Sequence, residues 1–345
     1  MSRFLFIDSR SGGDFSLDLL FAGLIQIYGP HSVVDFPAHE KHRRGQPKLI
    51  GDHERDYGAE RSSLCYTPKN PVVPSLREDE VREMVRNELF DAVFLDERDE
   101  SYELWLRLGL QYFGIPAVIV AGHDRFWNDL GPTGVAFRFG RSFRKMFVDD
   151  WQPEYDDLPF VKLTNLSANY DHLWDHGSRA KLLADKKYDV CFYGYNSTPS
   201  RARFIDHVAN RWANRSNVLM LERRPDQFDA FVRHQEYFSV MAQSRVCLNI
   251  RGASVGGRAL RYYEIPYVGS FMASQRFPAR LLHPFEDRVH CRYFSDEREL
   301  DEVIDWALAN PGPREFVASA GHQHLLRFHT SRARAEYVLQ ESGLR

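Results

Sequence analysis

The sequence predicts an α/β fold made of two Rossmann-like layers, and three observations point to it. Short apolar runs alternate with helix-spaced patterns along the chain, as expected for parallel strands joined by helical crossovers. A strand-first unit opens twice, at Arg3 and again at Tyr188. The 345 residues, at roughly 150 per domain, also suffice for two layers. The boundary is placed in the turn-rich, weakly periodic stretch Tyr155–Asp185. This gives an N-terminal domain over 1–170 and a C-terminal domain over 171–345. Two such layers make the cleft between them the expected ligand site.

In the first layer Arg3–Asp8 reads as a strand, and Ser11-Gly12-Gly13-Asp14 as a turn. Phe15–Ile27 has helical spacing through Leu17, Leu20, Leu24 and Ile27, and Ser32–Phe36 is a second strand. His39–Lys48 and Pro68–Pro74 read as loops, and Asp79–Leu89 as a helix. Ala92–Leu95 is a strand, Tyr102–Phe113 a helix, and Ala117–Val120 a strand after the break at Gly114-Ile115-Pro116. Val135–Phe139 and Lys145–Val148 read as further strands.

The second layer repeats the pattern. Tyr188–Tyr193, Val218–Leu221, Val246–Ile250, Ser270–Ala273 and Val289–Tyr293 read as strands. Ser200–Asn210, Phe228–Ala242, Arg258–Ile265 and Glu299–Ala309 read as helices, followed by one long helix over Pro313–Leu339 with a bend at Gly321.

Composition removes several classes. Lys plus Arg is 45 and Asp plus Glu 48, a net charge of −3, so bulk charge does not recruit nucleic acid. No apolar run reaches the roughly 18–20 residues of a membrane helix, and Phe4–Ile7 is too short for a signal peptide. Cys65, Cys191, Cys247 and Cys291 form no C-x-x-C pair, which fits a cytoplasmic protein without a disulfide framework. His172 and His176 are spaced i, i+4, and His322, His324 and His329 cluster late in the chain, but no cysteine completes a zinc set. No metal and no cofactor are expected.

The richest stretch is Val246–Gly269. A strand ends at Ile250, and Gly252, Gly256 and Gly257 lead towards a helix near Arg258. Backbone N–H groups at such a helix start attract phosphate. Arg251, Arg258 and Arg261 add cationic forks suited to a diphosphate. Glu264, three residues after Arg261, can accept the two hydroxyls of a ribose. A plainer reading makes these solvated arginines with an Arg–Glu surface pair, and neither the G-x-x-x-x-G-K-[ST] nor the G-x-G-x-x-G fingerprint is present.

Arg261-Tyr262-Tyr263-Glu264 followed by Gly269 resembles the R-x-[FY]-E-x4-G signature of the CgeB-like (spore maturation protein-like) GT-B glycosyltransferases. Ser244–Asn249, Phe294-Ser295-Asp296 with Glu299-Leu300, and Ala320-Gly321 with His329-Thr330 and Arg334 resemble further family segments, so the likeness spans about residues 188–340. It implies two Rossmann-like domains facing across a cleft, with the C-terminal helix returning to the first domain. It implies a metal-independent glycosyltransferase, with a nucleotide-diphosphate sugar held by the second domain. On this resemblance Glu264 holds the donor ribose, Arg261 lies by the diphosphate, and Gly269 permits close packing. Gly256 stands where many retaining GT-B enzymes carry a second glutamate, so no stereochemical outcome is implied.

Gly194, Tyr195 and Asn196, after the first strand of the second layer, and Arg223, after the next, join Arg251, Gly257 and Arg258 as candidate donor-binding residues. The attacking hydroxyl must lose a proton, and Asp14, His123 and Asp124 follow first-layer strands as candidate bases. The acidic loop Asp96–Glu100 at the same edge is expected to be solvated. The acceptor is left open among glycan, protein and small molecule. The alternatives are a GT-B epimerase or hydrolase acting on the donor alone, and a non-catalytic binding protein.

Overall fold

The computed structural model describes residues 2–8, 15–38, 76–121, 130–149, 151–165, 167–168, 176–195, 198–212, 218–223, 234–252, 260–278 and 280–345. The chain forms two compact units. Met1–His172, Arg280–Leu282 and Thr330–Arg345 make the first, and Leu173–Ala279 with His283–His329 the second.

The first unit runs β1 (Phe4–Ile7), α1 (Phe15–Tyr28), β2 (Val33–Phe36), α2 (Glu78–Arg86), β3 (Ala92–Leu95), α3 (Asp99–Arg107), β4 (Ala117–Ala121), α4 (Gly131–Phe139), β5 (Phe143–Val148) and β6 (Val161–Leu163). The strands form one sheet in the order β2-β1-β3-β4-β5-β6, and every pairing is parallel. Successive strand side chains point to opposite faces. Leu5 and Ile7 therefore join one buried cluster, while Phe4 and Phe6 join another with Leu20, Phe21 and Leu24 of α1. Both faces are covered, which is why these strands read as unbroken apolar runs.

Three expectations fail in this unit. Val135–Phe139 is helical, the last turn of α4. Val135 and Phe139 are its buried pair at i, i+4, whereas Phe137 points outward, so the period is 3.6 and not 2. Pro132 in the first turn was the available signal. The helix expected over Tyr102–Phe113 ends at Arg107, because Gly109 takes a left-handed φ of 77° and a 3-10 turn, Leu110–Tyr112, follows. The turn-rich, weakly periodic stretch Tyr155–Asp185, to which no strand was assigned, contains β6, paired to β5 through Met146 and Val161.

The second unit runs α5 (His176–Ala184), β7 (Tyr188–Tyr195), α6 (Pro199–Arg211), β8 (Val218–Arg223), α7 (His234–Ala242), β9 (Ser244–Asn249), α8 (Arg261–Val268), β10 (Met272–Gln275), β11 (Arg292–Phe294), α9 (Glu297–Ala309) and α10 (Pro311–Phe328). Its sheet has the order β8-β7-β9-β10-β11, again all parallel. Both sheets place their first strand between the second and the third. That arrangement makes a topological switch point, and in open α/β sheets ligands bind outside the carboxyl ends of the strands at that point. In the second unit the point lies between β7 and β9.

The long terminal helix expected over Pro313–Leu339 is two helices. The chain breaks at His329-Thr330, where the Thr330 side chain accepts from Ala333 N–H at 3.1 Å and starts α11 (Ser331–Glu341). Gly321 is not the bend. It is where α10 meets backbone, since a Cβ there would lie 2.4 Å from the His290 carbonyl oxygen. The helix α11 belongs to the first unit, not to the second as the division at 170/171 had it. Its Ala335, Val338 and Leu339 are buried in the same cluster as Phe6 and Phe21.

Candidate functional site

At the switch point of the second unit β7 ends and α6 begins. Thr198 caps α6, its hydroxyl accepting from Arg201 N–H at 3.1 Å, with Pro199 in the first turn. The helix therefore starts cleanly at the carboxyl edge of the sheet with its positive dipole end there. Arg201 lies in its first turn and is only 4% exposed. Its Nε donates to the Arg251 carbonyl and its Nη2 to the Ile250 carbonyl, both at 2.8 Å. The Arg251 amide in turn donates to Gln275 Oε1 of β10 at 3.0 Å. The exit of β9 is thus held by helix α6 on one side and by strand β10 on the other. Gly252 follows, and a Cβ there would lie 2.8 Å from Arg201 Nη2, so any larger residue would displace the guanidinium.

Helix α8 opens with Arg261 and is buried along its whole length. It ends at Gly269, whose φ of 85° is the left-handed cap conformation, with the Arg179 guanidinium against it. Arg261 is 7% exposed and Glu264 4%. The reading of these two as an exposed surface pair is therefore overturned. The Arg261 guanidinium carbon lies 5.0 Å from the centre of the Phe192 ring on β7. The Arg201 guanidinium carbon lies 5.9 Å from the same ring. Arg261 Nε has no hydrogen-bond partner among the described residues.

Two buried guanidinium groups beside one ring repel each other. Burial, with the Arg261 charge beside it, pushes the Arg201 group down to about 9. An anion between them would relieve both effects. Glu264, one turn after Arg261, is a buried carboxylate, a group that when ionised only accepts hydrogen bonds.

Other candidates distribute as follows. Gly194 and Tyr195 form the last two positions of β7, Arg223 ends β8, and Gly194 pairs with Glu222 and Tyr195 with Arg223 in the ladder. Arg251 stands just beyond β9, partly exposed. Asn196, Gly257 and Arg258 lie outside the described residues, as do Asp14, His123 and Asp124. Arg201 was missed from sequence. It sits in an ordinary amphipathic helix start, and its role comes from carbonyls about fifty positions away in sequence.

The late histidines serve the backbone. His322 Nδ1 donates to the Pro266 carbonyl at 2.8 Å, and the Nε2 atoms of His324 and His329 donate to the His283 carbonyl at 2.9 and 2.8 Å. Among the described residues no group of three or more His, Cys, Asp or Glu side chains is placed to hold a metal ion. No described helix is long and apolar enough to cross a membrane.

In the first unit the acidic loop after β3 is only partly solvated. Asp96 and Glu97 are buried, while Asp99 and Glu100 are exposed. Asp96 turns the chain into α3 by accepting from Arg98 N–H at 3.1 Å. Asp8 after β1 and Asp149 after β5 are buried at the same edge.

Residues 180–340 match the sequence pattern of the family described as Glycosyl transferase-like. The full chain superposes on solved glycosyltransferase structures. The chain has the GT-B fold. HepE from Anabaena, solved in complex with UDP, has a TM-score of 0.55 at 11% identity, over 99% of this chain and 100% of that one. A glycosyltransferase from Rickettsia africae ESF-5 has a TM-score of 0.56 at 10% identity, over 99% and 98%. Sucrose-phosphate synthase from Thermosynechococcus elongatus has a TM-score of 0.51 at 12% identity, over 98% of each chain. No curated protein sequence matches. The family match covers β7 to α10, the elements that build the buried arginine pair of this GT-B chain.

Proposed function

We propose that the chain transfers a sugar from a nucleotide-diphosphate donor to an acceptor hydroxyl without a metal ion, and that it belongs to the CgeB-like branch of these enzymes. The carrying observation is the pair Arg201 and Arg261, buried on one ring at the β7/β9 switch point with Glu264 one turn further on. The departing diphosphate gains negative charge as the glycosidic bond breaks. Fixed guanidinium groups and a helix N-terminus stabilise that charge where other enzymes use a cation. The α6 N-terminus and Arg201 face this task from one side, and Arg261 opens the helix on the other. Glu264 accepts the ribose hydroxyls. Gly194, Tyr195, Asn196, Arg223, Arg251, Gly257 and Arg258 are the further candidates for donor contacts. A base drawn from Asp14, His123 and Asp124 takes the proton of the attacking hydroxyl. Because the Anabaena relative was solved with UDP, uridine nucleotides are the first donors to try.

The test is a thermal-shift and calorimetric screen of nucleoside diphosphates and their sugars, followed by donor turnover with and without an acceptor pool and with excess chelator. A stabilising nucleotide and acceptor-dependent turnover that survives the chelator support the reading. Turnover of donor alone would make the chain an epimerase or hydrolase, and binding without turnover a non-catalytic receptor. Loss of activity with chelator, restored by manganese or magnesium, would remove the metal-free mechanism.

A further inference from the structure

The peptide that joins Ile250 to Arg251 is gripped at both ends. Its carbonyl, that of Ile250, accepts from Arg201 Nη2 at 2.8 Å, and its N–H, that of Arg251, donates to Gln275 Oε1 at 3.0 Å. The next carbonyl, that of Arg251 itself, accepts from Arg201 Nε at 2.8 Å. The Arg201 fork is therefore aimed by the carbonyls on either side of the N–H that Gln275 holds.

The register of the sheet shows why a side chain is needed there. Strand β9 pairs with β10 as far as Asn249 and Ser274. Cys247 N–H donates to the Phe271 carbonyl at 2.9 Å, and the rungs that one strand gives to a parallel neighbour recur at every second residue. Continued to Arg251, the ladder would bring its N–H to the Gln275 carbonyl. The Gln275 side chain takes that N–H instead, and the Gln275 carbonyl accepts from Ser274 Oγ at 3.2 Å. In a regular strand the N–H and C=O of one residue point to the same side. At Arg251 the N–H stays with β10 while the C=O turns to α6. One step earlier Asn249 Nδ2 donates to Ser274 Oγ at 2.9 Å, which pins the last regular pair. Asn249, Ser274 and Gln275 are all buried, so bulk water does not compete for these bonds.

We propose that Gln275 is a positioning residue of the anion site, which fixes the Ile250–Arg251 peptide and through it sets the Arg201 guanidinium for a diphosphate. The inference rests on the proposed donor site. Hydrogen bonds at the two ends of one peptide polarise each other, so the bond to Gln275 makes the Ile250 carbonyl a stronger acceptor for Arg201. Without Gln275 Oε1 a buried N–H loses its partner, and the peptide gains by rotating towards another acceptor. The two carbonyls then no longer match the planar fork of one guanidinium. Gln275 acts through the backbone and need not touch the ligand.

The experiment is calorimetric titration of the full chain with inorganic pyrophosphate and with UDP, for wild type, Gln275→Leu, Arg201→Gln and the double variant. Gln275→Leu removes the acceptor and keeps most of the bulk. It should weaken both ligands about fivefold, and Arg201→Gln should weaken them at least about tenfold. The double variant should bind no more weakly than Arg201→Gln alone, because the glutamine acts only through the arginine, whereas a merely structural glutamine gives losses that multiply. The carbonyl bonds favour the charged guanidinium, so the alkaline fall in affinity should come at lower pH in Gln275→Leu than in wild type. Thermal melts report folding, and Gln275→Met, with a flexible chain and no strong acceptor, repeats the cycle if the leucine variant melts early. Wild-type affinity in the folded Gln275 variant, or losses that multiply in the double variant, would overturn the proposal, and the donor site would stand if Arg201→Gln still lost affinity. No binding by wild type, or wild-type affinity in Arg201→Gln, would overturn both.

Discussion

Arg201 and Arg261 share the ring of Phe192, their guanidinium carbons 5.9 and 5.0 Å from its centre. The two arginines come from different helices, α6 and α8, and the phenylalanine from β7, the strand that leads into α6. A protein gains little by burying two like charges together. In the proposed donor site an anion bound beside them offsets that repulsion, and its energetics can be read through Arg201.

The first prediction is a pH dependence. The Arg201 group of the free protein is held down to about 9, and a bound diphosphate raises it again. Nucleoside diphosphate affinity should therefore be level at neutral pH and fall as pH rises through about 9, with proton uptake on binding. The stability effect has the opposite slope. The unfolded chain holds this proton more tightly than the folded one, so Arg201 by itself makes the fold more stable as pH rises above about 9. Calorimetry in buffers of different ionisation enthalpy measures the uptake. Arg201→Gln, which cannot titrate, should abolish it, and Arg201→Lys should weaken donor binding by about tenfold, since lysine loses the fork that holds two carbonyls.

Gly252→Ala tests the same centre from the backbone side. The new Cβ would sit 2.8 Å from Arg201 Nη2 and push the guanidinium from the Ile250 carbonyl. The expected result is a melting temperature close to wild type with donor affinity reduced towards that of the Arg201 variant. Unchanged affinity would show that the position of Arg201 does not matter for binding.

How much of this was legible in the sequence depends on the range of the interactions. Strand β3 falls at Ala92–Leu95, as its apolar run indicated, because a strand buried on both faces advertises itself residue by residue. Arg261 and Glu264 stood out because they share one helical turn with a recognisable spacing. Arg201 did not, since its meaning depends on Arg251 and Ile250 folding back onto it. The burial of Asp96 and Glu97 was hidden for a similar reason, because four acidic residues in five look like a solvated loop until the sheet edge closes over two of them. Helix α4 was mistaken because its visible apolar residues, Val135, Phe137 and Phe139, alternate. Only the structure shows that Phe137 faces water.

A third prediction concerns alkaline stability. Tyr262 accepts from Phe285 N–H at 3.1 Å and meets the Tyr293 hydroxyl at 2.9 Å, and Tyr293 donates to the Phe285 carbonyl at 2.9 Å. Burial pushes both phenols well above the ordinary tyrosine range. Their contribution is therefore complete below about pH 10, the unfolded tyrosine value, and declines above it as the unfolded chain ionises. Tyr293→Phe breaks the ring of hydrogen bonds and leaves Tyr262 and a carbonyl short of a partner. It should lower stability by about 1–3 kcal/mol at neutral pH and make the alkaline decline shallower, as followed by denaturant melts across pH.

The last prediction concerns Glu264. It is 4% exposed on a helix that opens with Arg261, so its carboxylate is not an ornament of the surface. If it accepts two ribose hydroxyls, each charged hydrogen bond carries roughly 1.5–3 kcal/mol. Glu264→Ala should then weaken binding by at least about tenfold, for nucleoside diphosphate and nucleotide sugar alike, because both carry the ribose. Glu264→Gln, which keeps shape and one acceptor, should lose less. A nucleotide lacking the ribose hydroxyls should bind wild type and Glu264→Ala with nearly equal affinity, because the partner groups are already gone. A purely structural carboxylate behaves differently. Its removal from a buried helix would lower the melting temperature, and all nucleotides would weaken together whether or not they carry the hydroxyls. Calorimetric titration of the wild type and both variants with ribose and hydroxyl-free nucleotides separates the two cases. Equal losses for both nucleotides would take the ribose away from Glu264 and leave the arginine pair as the remaining anchor of the donor site.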